Sequence, residues 1–321
     1  MEATPQVAVI VPAHRAEGTV GACIDGLRRQ TLPAESFEVH VVDTGEDGTP
    51  ELVAARAADW GGRLHCHVLA GSGPAAKRNL GAERASAPLL AFTDSDCVPD
   101  PGWLEAGVGR LGGGAAIVQG PTLTHDGLAP PPFSHAIWIE GPSPLYESCN
   151  VMYEAAAFRA AGGFPDDLFA ITDAPFGEDA ELAWRVIRAG GTAAFEPGAL
   201  VRHVVNPPDY RRHLRYQWQA RFFPLLVARV PELRGELLAA GLFLGPRSLR
   251  FTGLLAGTAL ARRRPWAAAL ALPYLAQMRG VAARAPTLRA ASAGIAKRVI
   301  ADSVREVALL WGSARYRSPI L

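Results

Sequence analysis

The chain has 321 residues, of which 49% are hydrophobic and 20% are charged. This composition supports a sizeable core and excludes a mainly disordered chain, and the length fits one large domain or two modest ones. The formal net charge is only +1, but residues 1–204 hold 13 basic and 26 acidic side chains, whereas residues 205–321 hold 19 basic and 5 acidic ones. This asymmetry indicates a nucleic acid or an anionic membrane as the partner of the basic segment.

The cysteines and the N-terminus indicate the compartment. No two of the four cysteines are closer than 31 residues, so the sequence offers neither a zinc-ligand spacing nor a disulfide framework. The first 14 residues lack a basic region followed by a small-residue cleavage site, which predicts no signal peptide. No apolar run reaches the roughly 20 residues that span a bilayer. We therefore expect a cytoplasmic protein with reduced thiols.

Short apolar runs alternate with helical patterns through the first half of the chain. Runs rich in Val, Leu, Ile and Phe predict strands at 7–13, 37–43, 64–70, 88–94 and 115–123. Apolar residues at three- and four-residue spacing predict helices at 19–30, 50–60, 74–85 and 102–111. This alternation predicts an α/β fold with a mainly parallel sheet and helices on both faces. Ligands of such sheets bind beyond the carboxyl ends of the strands.

The sharpest motif at such a strand end is Asp94-Ser95-Asp96. Two carboxylates after a buried strand can hold Mg²⁺ or Mn²⁺, and the cation would neutralise the diphosphate of a nucleotide ligand. Because the pattern is short, a solvated turn is the alternative. Its position at the carboxyl edge of the sheet favours the metal.

Two other strand ends offer contacts to a nucleotide. Asp43 ends the second predicted strand, where it can accept the imide N–H of a uracil, bond a ribose or simply cap a turn. The loop 71–79 leads into a helix and contains two glycines with Lys77 and Arg78. Its amides and basic side chains can meet phosphates, or it can be a flexible entry to the helix. It matches neither a P-loop nor a GxGxxG spacing.

The second half adds a carboxylate pair and a histidine. Glu178 and Asp179 open a predicted helix at 178–189, where the helix dipole keeps carboxylates ionised. An ionised carboxylate facing a pocket is suited to take a proton from an acceptor hydroxyl, although N-capping would use the same residues. His203 follows a short predicted strand and is either a third metal ligand through its neutral imidazole or a structural histidine.

Together these motifs resemble the family-2 glycosyltransferases. The resemblance covers about residues 6–205 and depends on the order and spacing of six motifs. They are Val9-Ile-Val-Pro-Ala-His14, Val41-Val-Asp43-Thr-Gly with Asp47-Gly-Thr, Gly73…Ala76-Lys-Arg78-Asn79-Leu-Gly81, Phe92-Thr-Asp94-Ser-Asp96, Asn150 with Gly162-Gly-Phe164, and Gly177-Glu-Asp179…Leu182…Arg185. The resemblance implies a GT-A type, Rossmann-like catalytic domain over residues 1–205. Beyond it, the change of composition and the helical pattern predict a basic, helical C-terminal region over residues 206–321.

The resemblance also implies a role for each position. Asp96, helped by Asp94 and with His203 as a further candidate, would bind Mg²⁺ or Mn²⁺ on the donor diphosphate. Asp179 would be the general base, with Glu178 beside it at the acceptor or donor sugar. Members of this family invert the anomeric centre of a nucleotide-sugar donor. The residues expected around the donor nucleotide are Pro12, Ala13, His14, Asp43, Arg78, Asp94 and Ser95.

Two departures from the family pattern refine this expectation. Thr44 stands where an acidic residue is commoner, which leaves a UDP-, GDP- or TDP-sugar open as the donor. Residues 217–222 do not match the Gln-x-x-Arg-Trp motif of processive synthases, so we expect transfer of a single sugar to an acceptor hydroxyl.

Three other classes of protein share part of this pattern. A sugar nucleotidylyltransferase would need a glycine-rich first loop where Pro12-Ala-His-Arg15 stands. A haloacid-dehalogenase-type phosphatase would carry Asp94 at its first strand. A catalytically inactive nucleotide-sugar-binding protein could have the same fold, but the presence of both Asp96 and Asp179 argues against it.

The basic C-terminal region interleaves arginines with aromatic residues at 210–223 and has an amphipathic helical pattern at 300–316. Such helices can lie in an anionic membrane interface, or they can pack on the acidic domain or on a second subunit. The region has no nucleic-acid-binding motif, so a nucleic acid is not the expected partner. We therefore expect an acceptor on a lipid-linked or cell-envelope molecule and a peripheral position at the inner face of the plasma membrane, with homo-oligomer formation as the alternative.

Overall fold

The structure, a computed structural model, describes residues 4–172 and 174–321. Its contacts divide the chain into two compact units, Met1–Pro208 and Asp209–Leu321. The strands, all in the first unit, are β1 Val7–Pro12, β2 Phe37–Asp43, β3 Leu64–Val68, β4 Leu89–Thr93, β5 Cys97–Pro99, β6 Ile117–Gln119, β7 Thr122–Thr124, β8 Asn150–Glu154, β9 Ala193–Phe195 and β10 Val201–His203. The α-helices of that unit are α1 Val20–Arg28, α2 Thr49–Ala57, α3 Pro74–Arg84, α4 Trp103–Gly112, α5 Ala155–Ala160, α6 Asp167–Thr172 and α7 Glu178–Arg188.

The central sheet has the strand order β3-β2-β1-β4-β8-β6-β9. Strands β3, β2, β1 and β4 are parallel to one another, and β8 is antiparallel to both of its neighbours. One apolar core lies between the sheet and α1, α2 and α4, and a second lies between the opposite face and α3, α5 and α7. The predicted α/β architecture with helices on both faces is thus confirmed, and the parallel strands aim their carboxyl ends at one edge.

The prediction of one strand over residues 115–123 is wrong. The segment forms β6 in the central sheet and β7 in a second, smaller sheet of order β5-β10-β7, and the chain passes between them at Gly120-Pro121. A Cβ at Gly120 would collide with the carbonyl oxygen of Ala199 and lie 2.7 Å from Asn150 Nδ2. The break therefore depends on contacts with distant residues, which apolar periodicity does not record.

Because backbone atoms close the space around Gly120, we expect Gly120→Ala to lower the free energy of unfolding by about 3 kcal/mol, or Tm by about 6–12 °C. Gly109→Ala is the matched control, since a Cβ on that helical glycine would meet nothing within 4 Å. Its Tm should be unchanged or slightly higher, because alanine is the better helix former. Equal melting of the two variants by calorimetry would contradict the close approach at Gly120.

The C-terminal unit is helical, with α8 Tyr210–Gln219, α9 Phe223–Arg229, α10 Leu233–Glu236, α11 Gly245–Leu260, α12 Leu272–Ala283 and α13 Leu288–Tyr316. Phe251, Tyr274 and Met278 form an apolar cluster within it. The buried Asp302 carboxylate accepts a hydrogen bond from Tyr274 Oη at 2.8 Å and pairs with Arg247. No helix among the described residues is both long and apolar enough to cross a membrane.

Candidate active site

Arg78 gathers acidic side chains at the carboxyl edge of the central sheet. It lies on α3, which begins with Pro74 directly after the loop, and it is only 5% exposed. One guanidinium nitrogen donates to Asp94 Oδ1 at 2.9 Å, and another lies 3.4 Å from Glu178 Oε1 and 3.7 Å from Asp179 Oδ1. Burial disfavours its charge, but the three carboxylates raise the pKa of Arg78 above its ordinary value. Arg78 is therefore a fixed cation among carboxylates.

Asp179 is the carboxylate of this group that lies at the start of α7 with a raised pKa. Gly177, with a φ of 79°, turns the chain into α7 and places Glu178 and Asp179 in its first turn. Asp179 Oδ2 accepts a hydrogen bond from Ser148 N–H at 3.1 Å, whereas its buried Oδ1 has no hydrogen-bond partner among the described residues. Burial, with the adjacent Glu178 charge, raises the pKa of Asp179 to about 7, against the opposing effects of Arg78 and Ser148. A carboxyl that titrates near neutrality is suited to proton transfer.

Asp96 and His203 face each other across the small sheet. The antiparallel pairing of β5 with β10 places His203 opposite Cys97, and His203 Nε2 lies 3.7 Å from Asp96 Oδ2. The other imidazole nitrogen, Nδ1, is 2.6 Å from the carbonyl oxygen of Val204, which fixes its proton and leaves the Nε2 lone pair toward Asp96. Burial raises the pKa of Asp96, and the charge of Asp94 adds to this, whereas His203 opposes it. A divalent cation between the two side chains would relieve that cost.

Three side chains near this position carry atoms that could bind a metal ion. Donor atoms of Asp96, His203 and Cys97 lie within 4.8 Å of one another. The Cys97 thiol is fully buried, and burial raises its pKa well above the ordinary value, so it stays protonated and is a poor ligand. The carboxylate of Asp96 suits Mg²⁺ or Mn²⁺ when diphosphate oxygens complete the shell, and the imidazole adds a nitrogen ligand of the kind that a transition metal such as Mn²⁺ accepts. Asp96 and His203 therefore fit a divalent cation.

The two aspartates of the Asp94-Ser95-Asp96 turn have different surroundings. Asp94 accepts from Arg78, Asp96 faces His203, and half-buried Ser95 lies between them in the turn. The sequence predicts that the two carboxylates act together on one metal ion. In the structure Asp94 instead pairs with the buried Arg78, and only Asp96 lies near His203.

The loops after β1 and β2 form a connected wall. Asp43 is fully buried, and its Oδ1 accepts from Gly45 N–H at 2.6 Å. Its buried Oδ2 has no hydrogen-bond partner within residues 4–172 and 174–321. His14 Nδ1 lies 3.0 Å from Thr44 Oγ1, which ties the first loop to the second. An unsatisfied acceptor at a strand end is suited to a ligand N–H or hydroxyl.

Pro12 and Ala13 are buried at the end of β1, and the Ala13 carbonyl accepts from Lys77 Nζ at 2.8 Å. The sequence offers Lys77 as a contact to phosphates, whereas the structure buries its side chain against the backbone of the first loop. Burial lowers its pKa, although the Asp43 charge opposes this. Lys77 thus supports the backbone of the first loop.

Asn79 explains another part of the motif. Its side-chain amide donates to the carbonyl of Phe164 at 2.8 Å and accepts from the Phe164 N–H at 2.9 Å. Arg185 on α7 donates to the carbonyls of Ala161 and Gly163, both at 2.7 Å. These bonds hold the Gly162-Gly163-Phe164 turn against α3 and α7. The roles of Asn79 and Arg185 were not predicted, and only the motif itself marked them.

A cavity of about 450 Å³ adjoins the Asp96–His203 pair. It is lined by Val98, His125, Asp126, Arg202, His203, Val204 and Val205. Arg202 is held by Asp100 through bonds of 2.9 and 3.2 Å, which fixes one wall. His203 therefore lies in the wall of this cavity.

Comparison with known proteins assigns this geometry to a family. Residues 8–149 match the family model described as Glycosyl transferase family 2. This segment belongs to that family. The matched residues include β1, β2, α3 and the Asp94-Ser95-Asp96 turn, whereas α7 and His203 lie beyond them.

The relatives and neighbours of this family-2 glycosyltransferase segment agree with the assignment. The chain is 30% identical over 243 residues to the pre-mycofactocin glycosyltransferase of Mycobacterium tuberculosis. This alignment covers 67% of this chain and 48% of that protein. The chain thus spans about half the length of this relative. Its structure resembles that of a mannosyltransferase from Pyrobaculum calidifontis in complex with GDP-Man and Mn²⁺, with a TM-score of 0.57, 19% identity and coverage of 98% of this chain and 88% of that one. It also resembles GalNAc-T7 with UDP, GalNAc and Mn²⁺, with a TM-score of 0.53, 15% identity and coverage of 74% and 52%. The fold of the first unit is of the GT-A type.

Proposed function

We propose that the protein is an inverting, metal-dependent glycosyltransferase that moves one sugar from a nucleoside-diphosphate sugar to an acceptor hydroxyl. The observation that carries this proposal is the arrangement at the sheet edge, where Asp179, with a pKa near 7, lies beside the Arg78–Asp94 pair. The same edge holds Asp96 and His203, which suit a cation.

The donor nucleotide lies against the loops after β1 and β2. The free Oδ2 of Asp43 accepts from the base or the ribose, and Pro12, Ala13 and His14 form the wall beside it. Arg78 acts indirectly here, because its guanidinium is already occupied by Asp94 and Glu178. It holds Asp94 and the adjoining Ser95 in place at the diphosphate. The similar structures with GDP-Man and with UDP support a nucleoside-diphosphate donor.

Asp96 and His203 would hold Mg²⁺ or Mn²⁺, assisted by Asp94. When bound, the cation supplies charge neutralisation to the leaving nucleoside diphosphate. The Mn²⁺ in both similar structures supports this assignment.

Asp179 acts as the general base. The acceptor oxygen forms a bond to the anomeric carbon while the bond from that carbon to the diphosphate oxygen breaks on the opposite side, which inverts the centre. The acceptor proton passes to Asp179, whose raised pKa lets it accept that proton near neutral pH. Glu178 is buried against Arg78, so its charge raises the proton affinity of Asp179 from the side.

The acceptor is a lipid-linked or cell-envelope molecule, and the protein acts at the inner face of the plasma membrane. The basic composition of the C-terminal unit supports this part of the proposal, because 19 basic side chains face only 5 acidic ones over residues 205–321.

A donor-binding screen tests the proposal. In calorimetry we expect one UDP-, GDP- or TDP-sugar to bind with Mn²⁺ or Mg²⁺ and to bind at least about tenfold more weakly after EDTA, because the cation would neutralise the charge of the diphosphate. Absence of binding by every nucleotide-sugar would overturn the proposal. Binding without hydrolysis or transfer would indicate an inactive binding protein. Consumption of added pyrophosphate, with formation of a nucleoside triphosphate and a sugar 1-phosphate, would indicate a nucleotidylyltransferase.

A further inference from the structure

An arginine-tipped helical hairpin, residues 245–283, exposes several large apolar side chains of the C-terminal unit. It consists of α11, a turn at 261–264, a 3₁₀ helix at Pro265–Ala271 and α12. The two arms are in close contact, because a Cβ at Gly253 would lie 2.9 Å from the Leu270 carbonyl oxygen and one at Gly257 would lie 2.9 Å from that of Ala267. The outward-facing side chains are therefore presented on a rigid support.

The hairpin has an inner and an outer apolar face. Phe251, Tyr274 and Met278 are buried in the cluster of the C-terminal unit. Trp266 is 66% exposed and Leu272 is 61% exposed, and they are six residues apart with the exposed Ala269 midway. This spacing of three continues to the exposed Leu275, so the outer side chains form one stripe. Exposing this much apolar surface is costly unless another phase covers it.

The charged side chains within the hairpin have one sign. No acidic residue occurs between Glu236 and Asp302, and the same stretch contains ten basic residues. Arg262, Arg263 and Arg264 form the exposed turn directly before Trp266. All charged side chains of the hairpin itself are therefore basic, and the acidic residues that contact it, Asp302 and Glu306, are buried.

We infer that the outer face of this hairpin docks on a bilayer that contains anionic lipids, with Trp266, Leu272 and Leu275 in the interface and the arginine turn at the headgroups. A bilayer matches both properties, because tryptophan prefers the headgroup boundary and arginine is attracted to anionic lipid. A nucleic acid would match the charge but leave the leucines uncovered. This surface would hold the enzyme at the membrane for the proposed function. Only the biological purpose of the contact rests on that function, and the contact itself does not.

Vesicle co-sedimentation of the full chain tests the inference. We expect binding to vesicles of equal parts phosphatidylcholine and phosphatidylglycerol, little binding to phosphatidylcholine alone, and release by salt. Changing Arg262, Arg263 and Arg264 together to glutamine should weaken binding by about a hundredfold, at about fivefold for each arginine. The double variant Trp266→Ser with Leu272→Ser should weaken it by about tenfold or more.

Leu128→Ser is the matched control, because Leu128 lies in the first unit and is exposed to the same 66% as Trp266. It should bind vesicles as the unmodified chain does. Failure of the unmodified chain to bind anionic vesicles, or equal binding by the Trp266–Leu272 variant, would overturn the inference. A change of oligomeric state in that variant, measured by light scattering and without vesicle binding by the parent, would assign the face to a second copy instead.

Nucleotide-sugar binding measured on the same preparations separates the two proposals. Vesicle binding with no donor binding would refute the glycosyltransferase proposal and leave the membrane face standing. Donor binding with no vesicle binding would refute only the membrane face.

Discussion

Replacing Asp179 by asparagine is expected to lower the transfer rate by about 10²–10⁴-fold while the affinity for the nucleotide-sugar changes only a few-fold. The reason is that asparagine keeps the shape of the side chain and its acceptor oxygen for the Ser148 N–H, 3.1 Å away, but cannot take the acceptor proton. Initial rates and calorimetric donor affinity, measured on one preparation, check this split.

Glu181→Gln is the matched control for Asp179→Asn, since Glu181 lies in the first turn of the same helix. It should keep most of the activity. Loss of donor binding in Asp179→Asn would show that Asp179 holds the donor, and full activity would refute its role as the base.

The same carboxyl predicts a pH dependence of rate and of stability. Because only the ionised form accepts a proton, kcat/KM should fall about tenfold per pH unit below a pKa near 7. The residual activity of Asp179→Asn should not show this fall at low pH.

The pKa of Asp179 in the folded protein lies above the ordinary value of 3.8, so the fold favours the protonated form and loses stability as the pH rises through about 7. Asp179→Asn should therefore melt higher than the unmodified chain at pH 8, with a smaller gain at pH 5.

Replacing Asp96 by asparagine is expected to abolish metal-dependent binding of the donor, because it removes the carboxylate that we propose as a metal ligand. His203→Ala should raise the Mn²⁺ concentration for half-maximal donor binding by about 10–100-fold, because it removes the imidazole that we propose as a ligand, 3.7 Å from the carboxylate. Titration of Mn²⁺ at fixed nucleotide-sugar measures both effects.

Asp25→Asn serves as the control in this titration, because Asp25 is an exposed carboxylate on α1 that pairs loosely with Arg56. It should leave the Mn²⁺ requirement unchanged. An unchanged requirement in His203→Ala would show that His203 is structural, whereas an unchanged requirement in Asp96→Asn would place the cation elsewhere.

Much of the fold follows from local pattern. The apolar runs at β1, β2 and β4 are continuous because these strands are buried on both faces, and periodicity finds such runs readily. Strands β5 and β8 were not predicted, and the run at 115–123 was wrongly given as one strand. They are short or broken, and their positions depend on residues far along the chain, such as Ala199 beside Gly120.

Much of the candidate site was also present in the sequence. Residue type and position after a strand or at a helix start identified Asp43, Asp94, Asp96, Glu178 and Asp179. Those rules describe what a residue offers but not what it faces. They could not show that Arg78 is buried among carboxylates rather than turned to the donor.

The net charge of +1 conceals an acidic and a basic segment, and this division is set by the sequence alone, as are the alternating α/β pattern and the family motifs. Only the tertiary structure decided which groups meet. It placed His203 at Asp96, raised the pKa of Asp179 to about 7 through burial, and turned Trp266 and Leu272 outward beside three arginines. The physical reason is that composition and local periodicity are additive along the chain, whereas desolvation and charge pairing depend on distances between residues that the chain itself separates by up to a hundred positions or more.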